Sequence, residues 1–424
     1  MQIVIIINFL LYLLQTIHCY RKYPSTIYYY LWLYFCVFAG ASVFIVTTGI
    51  YELRFENLSH NTKFSITPYL LFFLCIHLLL YPLKNINKKI FVLSPLILRK
   101  LAPIVKYLCI ILSLYILFKL FEYSMFSHYS VMERREMSVE GEGFLNRGTQ
   151  PLLWYLDFIL WMIHDIATPF LILYTIYAYI QNCISNKKIL WILCCIIIPQ
   201  FITYIIASNR SGLFFLIINF SFFILLFRKY IPPRFFRRII KYGLFISIPF
   251  VIILAIISIA RYESSDISTQ NGILSYFGES FPNLHAFVYE QNYRISYGAR
   301  LFPKYFELLT GITFNLDGGI FYYHQFWTEY TGVYIHVFKT LFGDLYLEFG
   351  SVGTILFIGL ISIITNYILT KSNNLYFIIS IAYIYICFCT NSVLDFGLIY
   401  GGFYLPRYIL GCFLLSVFLK KHSY

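Results

Sequence analysis

The chain is a succession of long apolar runs separated by short polar stretches, and each run is about as long as a bilayer is thick. Roughly 20 apolar residues in helical form cross the ~30 Å hydrocarbon core, where a helix satisfies its own backbone groups. The pattern predicts eleven such helices, at 2–19, 27–50, 64–81, 102–121, 153–180, 189–207, 212–227, 242–260, 345–367, 375–391 and 397–419. The fifth carries Asp157, His164, Asp165 and Pro169, which marks it for a tilt, a break or a partly interfacial position. The first has no basic stretch before its apolar core and no small-residue cleavage site after it, so it reads as a span rather than a removable signal. The expectation is an all-α polytopic membrane protein in which residues 1–424 form a single integral membrane domain.

Charge then orients the helices. Alternate connections carry Arg21 and Lys22; Lys84, Lys88, Lys89, Arg99, Lys100 and Lys106; Lys187 and Lys188; Arg228, Lys229, Arg234, Arg237, Arg238 and Lys241; Lys371; and Lys420 and Lys421. These nineteen cations have no acidic residue among them, whereas the other connections and the spans hold all 19 acidic residues. Excess Lys and Arg marks the cytoplasmic side, so the N-terminus is expected outside and the C-terminus in the cytoplasm. The formal charge of +13 is then mainly a topology signal, with no nucleic-acid partner implied. Composition agrees: only 12% of the 424 residues are charged, about half the roughly 25% of soluble proteins, and mean hydropathy is +0.73. A soluble secreted enzyme, a nucleic-acid-binding domain and a disordered scaffold are excluded.

On the outer side one connection dominates. Residues 261–344 are far more than two neighbouring helices need, and the segment is rich in aromatics, among them Tyr276, Tyr293, Tyr297, Trp327, Tyr330 and Tyr334. Long loops of this kind carry function. All ten cysteines lie in or beside apolar spans and none in this loop, so packing on the helices, not disulfides, is expected to hold it. No zinc-type ligand spacing, phosphate loop or dinucleotide fingerprint occurs, and neither a metal nor a cofactor is expected.

Candidate chemistry gathers on the same side. Arg210 stands at the tip of a hairpin in Ser208-Asn209-Arg210-Ser211-Gly212, where a guanidinium either anchors the interface or meets an anion. Arg261, Arg294, Arg300 and Lys304 add cations within the long loop, with Arg300 and Lys304 on one face if 299–309 is helical. His285, His324 and His336 are its histidines, each either structural or a general base near neutral pH. Glu279, Glu290, Glu329, Asp344 and Glu348 are its carboxylate candidates. Asp344 and Glu348 stand four apart at the mouth of the ninth span, where a carboxylate pair entering lipid requires polar surroundings. Near the last span, Asp395 and Arg407 are candidates for a structural pair. Arginines suit a pyrophosphate and aromatic rings suit sugar faces, a combination found in a lipid-linked oligosaccharide.

The span layout with its large late loop, the turn Ile206-Ala207-Ser208-Asn209-Arg210-Ser211-Gly212, and the glycine-bearing stretch Phe342–Gly359 together resemble the bacterial O-antigen and capsule repeat-unit polymerases (Wzy-type), relatives of the O-antigen ligases. The family's spacing of Arg, ten residues, Gly recurs from Arg261 to Gly272 and from Arg300 to Gly311. The resemblance implies a metal-independent membrane glycosyltransferase of multi-span, GT-C-like architecture in the bacterial inner membrane. It would transfer a growing glycan from undecaprenyl pyrophosphate to the sugar end of another lipid-linked repeat unit, with a chain-length regulator as a possible partner. Arg210, Arg261, Arg300 and Arg294 would then hold the pyrophosphate, and His336, His285 and Glu348 are the catalytic candidates. The rival expectations are an O-antigen ligase acting on a lipid A core, another carrier-phosphate glycosyltransferase, and a flippase or transporter of the same lipid-linked sugars.

Overall fold

The computed structural model describes residues 1–55, 65–86, 95–131, 133–134, 137, 151–228, 231–262, 269–289, 293–312, 319–335, 337–394 and 404–423. Every regular element among them is helical. In chain order they are α1 (Gln2–Lys22), α2 (Ile27–Thr47), α3 (Ile50–Phe55), α4 (Thr67–Ile86), α5 (Pro95–Phe126), α6 (Pro151–Ile180), α7 (Asn186–Ile206), α8 (Arg210–Leu226) and α9 (Pro233–Tyr262). There follow α10 (Thr269–Gly278), α11 (Ser280–Leu284), a π-helical turn (His285–Tyr289), α12 (Pro303–Thr310), α13 (Gly319–Thr331), α14 (Thr340–Lys371), α15 (Leu375–Asn391) and α16 (Tyr404–Ser423).

Among the described residues, eight helices (α1, α2, α4, α5, α6, α7, α9 and α14) are long and apolar enough to cross a membrane. Three shorter apolar stretches, Ser211–Leu226, Leu375–Asn391 and Arg407–Leu419, occupy the remaining predicted positions. Residues 397–403 of the last predicted span lie outside the described residues. The protein is thus a polytopic membrane protein, all-helical among the described residues. The fifth predicted span is one continuous helix, α6, despite Pro169 inside it. In apolar surroundings the backbone groups that proline frees are re-satisfied by neighbouring helices and side chains, so the proline does not end the helix.

Short polar signals set the helix starts. Thr26, Asn209 and Asn374 each accept a backbone N–H of their own first turn, from Tyr29, Gly212 and Phe377. Lipid gives apolar side chains little reason to prefer one another, so close packing and interhelical hydrogen bonds bind the bundle. Thr16 donates to the Trp32 carbonyl at 3.1 Å, joining α1 to α2. Ser362 and Tyr385 donate to the carbonyls of Leu78 and Leu79, both at 2.6 Å, fixing α14 and α15 on α4.

The long connection does not simply roof the bundle. Its first helices, α10 and α11, sink between the apolar helices. Ser42 of α2 donates to the Gly278 carbonyl at 2.6 Å, and a Cβ on Gly278 would sit 2.7 Å from the Ala41 carbonyl oxygen. The Phe281 ring meets Tyr12 and Phe72 edge-on at 5.6 and 5.5 Å. Tyr12 is ten residues into α1, about 15 Å along it at 1.5 Å per residue. Phe281 therefore reaches roughly mid-bundle depth, and α11 is wholly buried. Backbone at such depth is tolerated where protein encloses it.

α14 starts earlier than the pattern predicts and breaks once. Its first ten residues form a separate, largely buried helix that ends at Gly350, whose φ of 68° and ψ of −175° interrupt the helical path. That conformation is essentially restricted to glycine. A methyl group there would have room, its nearest neighbour lying 3.7 Å away, so Gly350→Ala isolates backbone strain. We expect it to cost about 1–3 kcal/mol, measurable as a lowered thermal midpoint in detergent.

Candidate functional site

The break at Gly350 removes the next-turn N–H partners from the preceding carbonyls, and the segment before α12 docks on them. Ser296 N–H donates to the Leu347 carbonyl and Tyr297 N–H to the Glu348 carbonyl, both at 3.0 Å. Gly298 N–H donates to Glu348 Oε2 at 2.9 Å. Tyr297 and Gly298 both have positive φ, 50° and 88°, which turns the chain so that Arg300 points back at α14.

Arg300 then meets the two carboxylates that one helical turn places on the same face. Its Nη1 lies 3.1 Å from Asp344 Oδ1, its Nη2 donates to the Asp344 carbonyl at 2.8 Å, and its Nε lies 2.9 Å from Glu348 Oε1. Lys339 Nζ stands 3.3 Å from Asp344 Oδ1 and donates to the carbonyls of Ile335 and Val337. All four side chains are buried. Two cations and two carboxylates make the group neutral overall, the condition under which buried charge is tolerable. The start of α14 is fastened as well: Lys339 and Thr340 donate their N–H groups to the Leu394 carbonyl, and Leu341 donates to Ser392. The polar surroundings expected for Asp344 and Glu348 are thus supplied by the protein's own cations.

The other predicted residues are placed as follows. Arg294 is exposed, its backbone N–H bound to the Thr331 carbonyl at 3.0 Å. Arg210 opens α8 behind its Asn209 cap, and Arg261 lies in the last turn of α9; their side chains are outside the described set, as is that of Lys304. Arg300 and Lys304 do not share a helical face as expected, because α12 begins only at Pro303 and Arg300 belongs to the preceding turn. Proline fixes its own φ and disfavours helix in the residue before it, so the helix starts there. Glu279 is buried near Ser275, and Glu329 accepts from Gln325. His324 is half-buried, and Arg407 is exposed. His336, Glu290 and Asp395 lie outside the described residues. Among the aromatics, Tyr297, Tyr330 and Tyr334 are exposed.

His285 is buried, roughly parallel to Tyr69, and its Nε2 accepts the Ser65 N–H at 2.6 Å. Burial, together with the N-terminal ammonium, pushes its pKa down to about 4. The folded state therefore binds this proton less readily than the unfolded chain, whose histidines titrate near ~6.5. Stability is full above that value and falls as pH drops through the window between the two, by at most about 3 kcal/mol. The thermal midpoint should decline between pH 7 and pH 4.5, and His285→Gln, whose amide oxygen can still accept from Ser65, should flatten that decline.

A second polar group sits where α5, α6 and α7 meet. Lys119 Nζ lies 2.7 Å from Glu122 Oε2 and 2.8 Å from Asp157 Oδ1. Further along α6, Asp165 Oδ1 is 3.0 Å from His164 Nδ1 and accepts from Gln200 at 3.1 Å, while His164 Nε2 is 2.8 Å from the Ile196 carbonyl. The sequence marks Asp157, His164 and Asp165 individually. Lys119 and Glu122 carry a signal too, two opposite charges three apart at the end of an apolar run. Among the described residues no cluster of three or more His, Cys, Asp or Glu side chains could hold a metal.

Comparison of the chain with protein-family models, with curated proteins and with solved structures gives no match.

Proposed function

We propose that this protein is a multi-span, GT-C-like membrane glycosyltransferase that polymerises undecaprenyl-pyrophosphate-linked oligosaccharide repeat units. In this reading eleven helices cross the bacterial inner membrane, the nineteen segregated cations face the cytoplasm, and the 261–344 segment faces outward. The observation that carries the reading is the way this segment is rooted. Its α10–α11 part is sunk in the bundle and the Arg300 turn is ion-paired to α14, while Arg294, Tyr297, Tyr330 and Tyr334 remain exposed. An exposed arginine among exposed tyrosines, on a segment rooted in a membrane bundle, suits a substrate with a diphosphate, sugars and a lipid tail.

In the reaction, an acceptor hydroxyl attacks the anomeric carbon of the donor. The new C–O bond forms as the bond to the diphosphate breaks, the hydroxyl proton passes to a base or solvent, and the lipid diphosphate leaves. Arg294, Arg210 and Arg261 would stabilise the negative charge developing on the leaving group. Arg300 has its fork engaged with Asp344 and Glu348, so its part is to position the segment that bears Arg294, with Glu348 as its anchor. His336 is the first choice for the base, since His285 already accepts a hydrogen bond at Nε2.

Arg294 is exposed, so its truncation should leave folding unchanged and lower polymer formation about a hundredfold, the usual effect of losing one transition-state donor. Normal polymer length and amount in Arg294→Ala would remove this residue from the pyrophosphate site. The class itself is tested by deleting the gene and examining surface glycolipids beside lipid-linked intermediates. Single repeat units at the surface mean a polymerase, whereas long chains retained on the carrier mean a ligase. The charged group around Lys119 and Asp165 favours one second reading, a transporter of the same lipid-linked sugars, because ionisable residues inside a bundle often line a substrate path. Repeat units trapped on the inner leaflet after deletion would establish it.

A further inference from the structure

The 261–344 segment contains one helix whose outward face no part of the described protein covers. In α12, Leu308 and Leu309 are 73% and 84% exposed, and Ile312 just beyond it is 54% exposed. Gly311 ends the helix in the left-handed conformation, with its N–H on the Glu307 carbonyl. Within α12, Tyr305, Leu308 and Leu309 follow helical spacing along one side, with Phe306 on another and Phe302 at the cap before the helix.

What covers that face follows from where the inner one packs. The Phe302 ring lies 5.6 Å from Phe357 and 6.3 Å from Phe349, which themselves pack at 5.5 Å. Phe357 belongs to the apolar part of α14, fourteen residues before Lys371 at its basic end. At 1.5 Å per residue that is about 21 Å, inside a hydrocarbon layer of ~30 Å that begins near Lys371. The exposed stripe of α14, with Val352, Leu356, Leu360 and Ile363, runs beside this contact. An apolar stripe on a spanning helix faces lipid, so α12 leaves the protein surface at a level where its neighbour already touches acyl chains.

We propose that α12 is a membrane-interface helix, its Leu308–Leu309–Ile312 face immersed in the phospholipid of the leaflet next to the 261–344 segment. The segment is then held from two directions, by the Arg300 ion pairs on the protein side and by lipid on the other. Tyr305 suits the headgroup boundary, as tyrosines do at membrane interfaces.

The test is fluorescence quenching in the intact protein. A fluorescent noncanonical amino acid is placed at position 309, separately at 308, and as a reference at the exposed position 297, and each protein is reconstituted into phosphatidylcholine vesicles with or without bromine on the acyl chains. We expect emission at 309 and 308 to fall severalfold in brominated vesicles, with little change on adding aqueous iodide, and the reverse at 297. Quenching by iodide and not by bromolipid at both 308 and 309 overturns the proposal. Recovery of emission on adding a long-chain polyprenyl phosphate would also overturn it, since the occupant would then be an isoprenoid tail. Emission that changes with protein density in the vesicle, and not with bromination, would assign the face to a second copy of the chain.

Discussion

Arg300→Met should destabilise the folded protein by about 3–5 kcal/mol, the usual consequence of removing one member of a buried charge group. The substitution keeps most of the side-chain volume but leaves Glu348 without its cation and Asp344 with Lys339 alone. Arg300→Lys should fall between, because a single ammonium cannot reproduce contacts from Nε, Nη1 and Nη2 in three directions. Arg300→Met combined with Glu348→Met should recover part of the loss, since it removes both charges of one pair. Arg294→Met, at an exposed position six residues earlier, should stay within about 0.5 kcal/mol. Thermal midpoints in detergent, with the fraction of protein recovered monodisperse, decide the matter. An unchanged midpoint in Arg300→Met would mean that the ion pairs do not hold the segment. Activity adds a second readout: Arg294 variants should be folded and about a hundredfold less active, whereas Arg300 variants should lose structure and activity together.

An effect of similar size is expected at Lys119, where α5 meets α6. Lys119→Met leaves Glu122 and Asp157 facing each other across α5 and α6 without the ammonium that both contact. The expected cost is again about 3–5 kcal/mol. Adding Glu122→Gln and Asp157→Asn to the same protein should restore most of it, because no buried charge then remains uncompensated. Lys106→Met, exposed on the same helix, is the control and should change stability by less than about 0.5 kcal/mol. If the triple variant were no more stable than the single one, Lys119 would be acting through its apolar stem and not its charge.

Most of the helices could be read from the sequence because lipid imposes a local rule: each crossing segment must be apolar and must satisfy its own backbone. That rule acts within about 20 residues, and each predicted span overlaps a helix. Boundaries shifted where capping or a break intervened, as at Pro303 and Gly350. The functional residues were legible as types more than as partners. Asp344 and Glu348 are visible as a pair needing compensation, yet nothing local says that the compensation comes from Arg300, forty-four residues earlier, and from Lys339. Arg300 and Lys304 do not share a helix face for a local reason, since the helix starts only at Pro303, while the direction Arg300 takes is set by backbone contacts to α14.

The 261–344 segment shows the division most clearly. Its length, its lack of cysteine and its aromatic content are properties of the chain, and they suffice to predict a segment held by packing. Its descent into the bundle is a different matter. Ser275, Glu279, Ser280 and Asn283 among its residues give a polar pattern that no local rule assigns to membrane depth. Contacts with α2, α3 and the approach to α14 satisfy part of it: Tyr51 donates to Asn283, Asn283 donates to the Phe338 carbonyl, and Ser42 donates to the Gly278 carbonyl. The sequence by itself determined that this is a helical membrane protein, how its charges divide between alternate connections, and which connection is exceptional, because those follow from the cost of moving each short segment into lipid. The tertiary structure decided which charges neutralise one another and how deep the exceptional segment lies, because a buried polar group is tolerated only with partners that chain folding brings from far away.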